Sequence, residues 1–147
     1  MRVTGAVLAL TLVIGSGQGR AQGKPAEPPQ GSREVTVTVT YTGKGKVDDS
    51  HELWVYLFDH PEIGAQSEPL AIQPIRKSGG TTTFKSVTAD PVYIGVAYDE
   101  QGDFDALGEP PVGTPIAIYA KDGKTTPVKP GAGAKVKITF DEKVRWK

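Results

Sequence analysis

A two-residue alternation of apolar and polar side chains recurs in this chain and limits the folds open to it. Between residues 33 and 41 the intervening positions are mostly threonine, and between residues 91 and 98 they are mostly small or aromatic. The alternating apolar positions are Val35, Val37, Val39 and Tyr41 in the first segment and Val92, Ile94, Val96 and Tyr98 in the second. Because this period places alternate side chains on one face of a strand, both segments are predicted to be strands with a buried face.

Strand signals occur in seven segments, and none of the sequence has the pattern of an amphipathic helix. The segments are residues 33–41, 52–59, 70–77, 81–87, 91–98, 114–120 and 135–140. Short strands separated by frequent turn signals are typical of a sandwich rather than a helical or α/β domain. The sequence therefore predicts an all-β fold, a seven-stranded antiparallel β-sandwich. Whether its topology is immunoglobulin-like or transthyretin-like stays open.

The amino-terminal region has the pattern of an export leader followed by a linker. Arg2 supplies a positive charge, residues 3–14 are apolar, and Gly19-Arg20-Ala21 fits a small-residue cleavage site. Residues 1–21 are therefore predicted to be a signal peptide, residues 22–32 a flexible linker rich in proline and glycine, and residues 33–147 the folded domain. We expect an exported protein, periplasmic or secreted, with no membrane anchor after cleavage of the leader.

Charge and cysteine content exclude several classes of function. The 147 residues contain 17 Lys and Arg, 17 Asp and Glu, and no cysteine. A balanced charge gives no electrostatic basis for binding nucleic acid. The lack of cysteine excludes disulfides, thiolate metal sites, a cysteine nucleophile and a lipid-modified cysteine.

An acidic loop follows the strand 91–98 and is the first candidate site. Asp99, Gln101, Asp103 and Asp105 alternate around Gly102, which permits a sharp turn. With backbone carbonyls and Glu109 completing the shell, these oxygens are hypothesised to bind Ca²⁺. The alternative is a solvated acidic turn in which aspartate side chains cap nearby backbone amides.

This part of the chain also carries a family resemblance. A strand ending in YDEQGDFD, followed by LGEPP, resembles a family of uncharacterised bacterial secreted β-sandwich domains with a YDENGNGKLD-like acidic loop. The matching positions are Tyr98, Asp99, Gln101, Gly102, Asp103, Asp105, Gly108 and Pro110. More distantly, the strand pattern is similar to transthyretin-like and carboxypeptidase-regulatory-like sandwiches. The resemblance implies a secreted β-sandwich and fixes no activity.

The strand 52–59 is apolar on both faces, and its aromatic side carries a second candidate site. Trp54, Tyr56 and Phe58 share one face. One interpretation is that the rings pack over Gly95 and Ala97 of a neighbouring strand, where small residues leave room for them. The other is an exposed platform that stacks a sugar or an apolar side chain of a partner.

No motif in the sequence assembles a catalytic centre. A GXSXG elbow, an HEXXH pair and a phosphate-binding glycine loop are all lacking. The only histidines, His51 and His60, are predicted at opposite ends of one strand, about 30 Å apart, too far to share a zinc ion. A transthyretin-like small hydrolase would need one of them beside Arg76 or Arg145.

The sequence thus favours an exported, non-catalytic module rather than an enzyme. Its loop 99–113 is predicted to bind a partner or a structural cation, the partner being a cell-envelope protein or a glycan. A carbohydrate-binding module using the aromatic strand 54–58 is the first alternative, and the small hydrolase is the second.

Overall fold

The computed structural model describes residues 33–147, and this part of the chain is all-β. The strands are β1 (Val35–Tyr41), β2 (Leu53–Phe58), β3 (Ala71–Ile75), β4 (Gly80–Phe84), β5 (Tyr93–Tyr98), β6 (Ile116–Ile118), β7 (Ala120–Lys121), β8 (Lys124–Thr125) and β9 (Lys135–Phe140). The predicted leader and linker, residues 1–32, lie outside the described residues. In the described range, no helix has the length and apolar character needed to cross a membrane.

The described strands form three sheets. One has the order β4-β1-β9, a second has the order β3-β2-β5-β6, and β7 pairs only with β8. Each of the seven predicted segments contains a strand, so the all-β prediction is confirmed at that level. Residues 33–147 contain nine strands because a polar segment expected to be a loop forms the β7-β8 hairpin. Its turn residues Asp122 and Gly123 have φ of 51° and 73°, as a two-residue hairpin turn requires.

The pairing of β1 with β9 departs from the predicted antiparallel arrangement. These strands run parallel, in a register from Thr36 opposite Lys135 to Tyr41 opposite Phe140. All other pairings between the strands are antiparallel. Parallel strands need a long connection, and nearly the whole domain connects these two, so no local turn signal could reveal the pairing.

One apolar core is shared by the two larger sheets. Val35, Val37 and Val39 of β1 have no exposed surface, and the threonines between them are partly exposed. The other sheet contributes Leu53, Val55 and Leu57 of β2 and Ile94, Val96 and Tyr98 of β5 to the same cluster. The two sheets therefore bury their alternating faces against each other, as the two-residue period predicts.

A second, smaller apolar cluster covers the opposite face of the four-stranded sheet. It consists of Tyr56, Phe58 and Ala97, with Trp54, Ile63, Ile72, Tyr93, Phe104 and Ile116 packed around them. Tyr56 stands opposite Gly95, and Trp54 opposite Ala97. A Cβ atom at Gly95 would lie only 3.3 Å from a ring carbon of Phe58. This packing agrees with the interpretation in which aromatic rings cover Gly95 and Ala97, and most side chains of β2 are buried on both faces of the sheet.

Candidate functional site

The acidic loop is organised by one buried carboxylate. Asp99 is only 7% exposed, and its side-chain oxygens accept hydrogen bonds from the backbone amides of Gly102 at 2.7 Å, Asp103 at 3.2 Å and Phe104 at 3.3 Å. Gly102 takes a φ of 74°, which its lack of a side chain permits. This is the amide-capping arrangement that the sequence left as the alternative to a cation site.

The other predicted calcium ligands do not converge with Asp99. Gln101 and Asp103 are exposed, Asp105 accepts a hydrogen bond from the amide of Leu107 at 3.0 Å, and Glu109 accepts one from the indole nitrogen of Trp146 at 3.0 Å. Among residues 33–147, no three acidic, histidine or cysteine side chains are grouped so as to hold a metal ion. Calcium binding stays a hypothesis from the sequence, and a cation would have to reorganise these side chains in order to bind here.

The aromatic strand does not form the exposed platform described above as one interpretation. Tyr56 is 7% exposed and Phe58 is 5% exposed, and Trp54 is half-buried. The two buried rings stack with centroids 6.2 Å apart, and Ile63 and Phe104 from two different loops pack against the cluster. The rings are covered because burying them removes a large apolar area from water.

A cavity of about 230 Å³ remains between the two covering loops. We name it the outer groove. Its floor is the outer face of β2, β5 and β6, one wall is the loop 59–70, and the other is the loop 99–115. The floor residues are Tyr56, Phe58, Gly95, Ala97, Ile116 and Ile118, the walls include Ile63, Pro69, Leu107 and Pro110, and Trp146 lines one side. The small side chains at positions 95 and 97 leave the space that the groove occupies.

An exposed leucine marks the outer groove as a binding site candidate. Leu107 lies at the groove and is 88% exposed. Tyr56 lines the groove, and its buried hydroxyl has no hydrogen-bond partner among the described residues. Burial, with a smaller effect of the Asp105 carboxylate, raises the pKa of Tyr56, so the hydroxyl is a neutral donor. Buried polar groups are usually paired, and this hydroxyl is one of five buried side-chain atoms without a partner among the described residues.

The histidines lie at opposite ends of β2, as the sequence predicted. The Nδ1 atom of His51 contacts Asp48 Oδ1 at 3.0 Å, and that of His60 contacts Asp59 Oδ1 at 2.6 Å. The arginines of the hydrolase alternative pair with acidic side chains, Arg76 with Glu52 at 2.6 Å and Arg145 with Glu100 at 2.8 Å. Neither arginine forms a hydrogen bond with a histidine in the described chain, so the hydrolase alternative gains no support here.

Sequence reasoning missed a hydrogen-bond relay in the wall of the outer groove. His60 Nε2 lies 3.2 Å from the hydroxyl of Ser67, which completes a chain from Asp59 through His60 to a serine. The Ser67 hydroxyl donates to the Glu62 carbonyl at 2.9 Å and accepts from the Gly64 amide at 2.9 Å. A serine nucleophile gives its proton to the base, whereas this proton is held by a backbone carbonyl. These hydrogen bonds therefore hold the loop 59–70 in its conformation and so stabilise one wall of the outer groove.

The sequence also gave no prominence to Leu107 and Trp146. Leu107 sits in a polar loop where a large apolar residue is out of place, and that mismatch was an available signal. Trp146 reaches the groove because residues 144–146 run beside the start of β6, with the Trp146 amide donating to the Thr114 carbonyl at 2.8 Å. That pairing of distant segments has no local sequence signal.

Comparisons with known proteins give little beyond the fold description. No family model matches the chain, and no curated protein matches it significantly. Among solved structures, the chain is similar to an alternative pilotin from the type II secretion system of Vibrio cholerae, with 13% sequence identity and a TM-score of 0.43. That similarity covers 75% of this chain and 94% of the pilotin chain, and at this level it carries no argument about function.

Proposed function

We propose that this chain is an exported, non-catalytic β-sandwich module that binds a partner protein through the outer groove. The observation that carries the proposal is an apolar cavity bordered by a leucine that is 88% exposed. Exposed apolar surface beside a pocket is typical of sites where a partner inserts an anchoring side chain. Export is supported by the leader pattern of residues 1–21, and the non-catalytic role by the lack of catalytic motifs in the sequence.

The scaffold proposed for this module is a sandwich of the immunoglobulin-like or transthyretin-like class. Its support is the core cluster to which both larger sheets contribute. On such scaffolds the loops carry function and the strands hold them in place. Here both walls of the groove are loops, and its floor is a sheet that is packed on its other face as well.

The size of the outer groove favours a protein partner over a free small molecule. Ligand pockets usually enclose about 300–1,000 Å³. The groove, at about 230 Å³, is smaller than this range and suits a single large side chain. An anchor residue that fills a pocket while its neighbours lie on the rim is a common mode of recognition between proteins.

The proposal is tested by selecting binders from a random peptide library on the immobilised full chain. Binding of the selected peptides is then compared for Leu107→Ser and for Val112→Ser. Val112 is the matched control, because it lies in the same loop and is 83% exposed but does not line the groove. Burial of the leucine in the complex predicts that Leu107→Ser weakens binding about tenfold or more.

Both substitutions replace exposed side chains, so we expect the free energy of unfolding to change by at most about 0.5 kcal/mol. Binding that is equally strong in the wild type and in Leu107→Ser would overturn the groove as the site. A library that yields no peptide whose affinity depends on Leu107 would have the same consequence.

A further inference from the structure

The charged groups of the outer groove all have one sign. Glu68 lies in the wall formed by the loop 59–70, and Glu109 in the wall formed by the loop 99–115. No lysine, arginine or histidine lines the groove. A partner segment that enters this site therefore meets negative charge on both walls, around an apolar floor.

Neither of these carboxylates is neutralised within the described chain. The salt bridges among residues 33–147 involve other acidic side chains: Asp48, Asp49, Glu52, Asp59, Asp90, Glu100 and Asp141. Glu109 accepts only the indole N–H of Trp146, which holds its carboxylate at the groove without removing the charge. Both glutamates are exposed, so they can pair with a cation from a partner.

The carboxyl-terminal segment of the chain contacts the loop 99–115 with an aromatic side chain and a basic one. The Trp146 ring lines the groove and donates to Glu109, while the neighbouring Arg145 donates to Glu100 at 2.8 Å. An aromatic residue beside a basic residue thus docks against the loop 99–115 by apolar contact and charge. The remaining cavity offers a second place for the same combination.

We infer that the outer groove receives an extended segment of a partner protein in which one bulky apolar side chain is flanked by lysine or arginine. The apolar side chain fills the cavity over Gly95 and Ala97, and the basic side chains pair with Glu68 and Glu109. This inference rests on the proposed function and specifies the ligand of the same site.

The test uses blocked tripeptides with phenylalanine between two lysines, two glutamines or two glutamates. Their dissociation constants for the full chain are measured by amide chemical-shift titration at low ionic strength. Exposed ion pairs contribute modestly, so we expect the lysine peptide to bind about threefold or more tightly than the glutamine peptide. High salt is expected to reduce that ratio, and the glutamate peptide to bind weakest.

Two variants test whether the carboxylates of Glu68 and Glu109 cause the preference for the lysine peptide. In Glu68→Gln combined with Glu109→Gln, the lysine and glutamine peptides are expected to bind equally, and the amide oxygen at position 109 can still accept from Trp146. Glu62→Gln is the matched control, because Glu62 is exposed in the same loop but does not line the groove. It is expected to keep the full preference for lysine.

Failure of the inference and failure of the proposed function give different results. If all three tripeptides bind equally tightly and Leu107→Ser weakens each of them, the inference of basic flanking residues is wrong, but the groove still binds apolar side chains. If none shows binding that depends on Leu107, the groove itself is wrong. If phenethylamine binds as tightly as the lysine peptide, the site recognises an aromatic amine and the assignment to a protein segment is overturned.

Discussion

At the scale of single residues, Asp99 has the largest effect on the loop that borders the outer groove. Its carboxylate accepts hydrogen bonds from three consecutive backbone amides, so this one side chain stabilises the turn. Because the chain turns here, Phe104 packs against the aromatic cluster and Ala106 is buried. Burial of this charge is tolerated because the amides satisfy it.

We expect Asp99→Ala to lower the free energy of unfolding by about 2 kcal/mol, because three partly buried backbone amides lose their charged acceptor. Urea denaturation of the full chain measures the change. Asp103→Ala is the control, since that side chain is exposed and the expected change is within about 0.5 kcal/mol. Equal effects of the two substitutions would contradict the capping role.

The sequence could place Asp99 in a turn but could not show that it is buried. Four alternating oxygen-bearing side chains suggest a ligand set as readily as a capped turn, and only the position of the sheet distinguishes the two. The loop folds back over β2, which buries the first aspartate and leaves Gln101, Asp103 and Asp105 in solvent. That outcome depends on packing between distant segments, for which a single sequence has no signal.

At the scale of elements, the strands were predictable and their partners were not. Alternation, continuous apolar runs and turn signals together located every segment that forms β1 to β6 and β9. The outer groove could not be predicted, because its walls are two loops from different parts of the chain and its depth depends on Gly95 and Ala97 standing opposite Tyr56 and Trp54. Register of this kind is set by contacts across the whole sheet.

The loop 99–105 also gives a prediction about calcium. A calcium ion needs about six to eight oxygen ligands, and both side-chain oxygens of Asp99 already accept hydrogen bonds from backbone amides. We therefore expect the melting temperature of the full chain to be the same in chelator and in millimolar calcium. A rise that chelator reverses would contradict this expectation and would favour the cation site, since a ligand of the native state stabilises it by mass action.

At the scale of the whole molecule, Tyr41 connects the two larger sheets. Its ring centroid lies 4.4 Å from that of Tyr98 in the four-stranded sheet and 5.2 Å from that of Phe140 in its own sheet. The hydroxyl is buried and has no hydrogen-bond partner among the described residues. Burial, and then the Glu142 carboxylate, raise the pKa of Tyr41 from 10.0 to about 12.

This shift predicts a loss of stability in alkali. Between pH 10.0 and about 12 the unfolded chain releases the tyrosine proton while the folded chain keeps it, so stability falls as pH rises through that window. Tyr41→Phe keeps the ring and removes the ionisable group. We expect it to move alkaline unfolding, followed by circular dichroism, to higher pH.

Tyr119→Phe is the control for that experiment, because Tyr119 is only half-buried. Its alkaline transition is expected to match that of the wild type. A transition in Tyr41→Phe that also coincides with the wild type would show that the Tyr41 proton does not contribute to alkaline unfolding.

The parallel pairing of β1 with β9 has a mechanical consequence. A pull applied at Arg33 and at Asp141 acts on opposite ends of the two strands, so it loads their hydrogen bonds in shear. The six paired positions from Thr36 to Tyr41 then have to fail together instead of opening one after another. Tension between these two points is therefore carried by the β1-β9 pair, whereas the outer groove is built on the other large sheet.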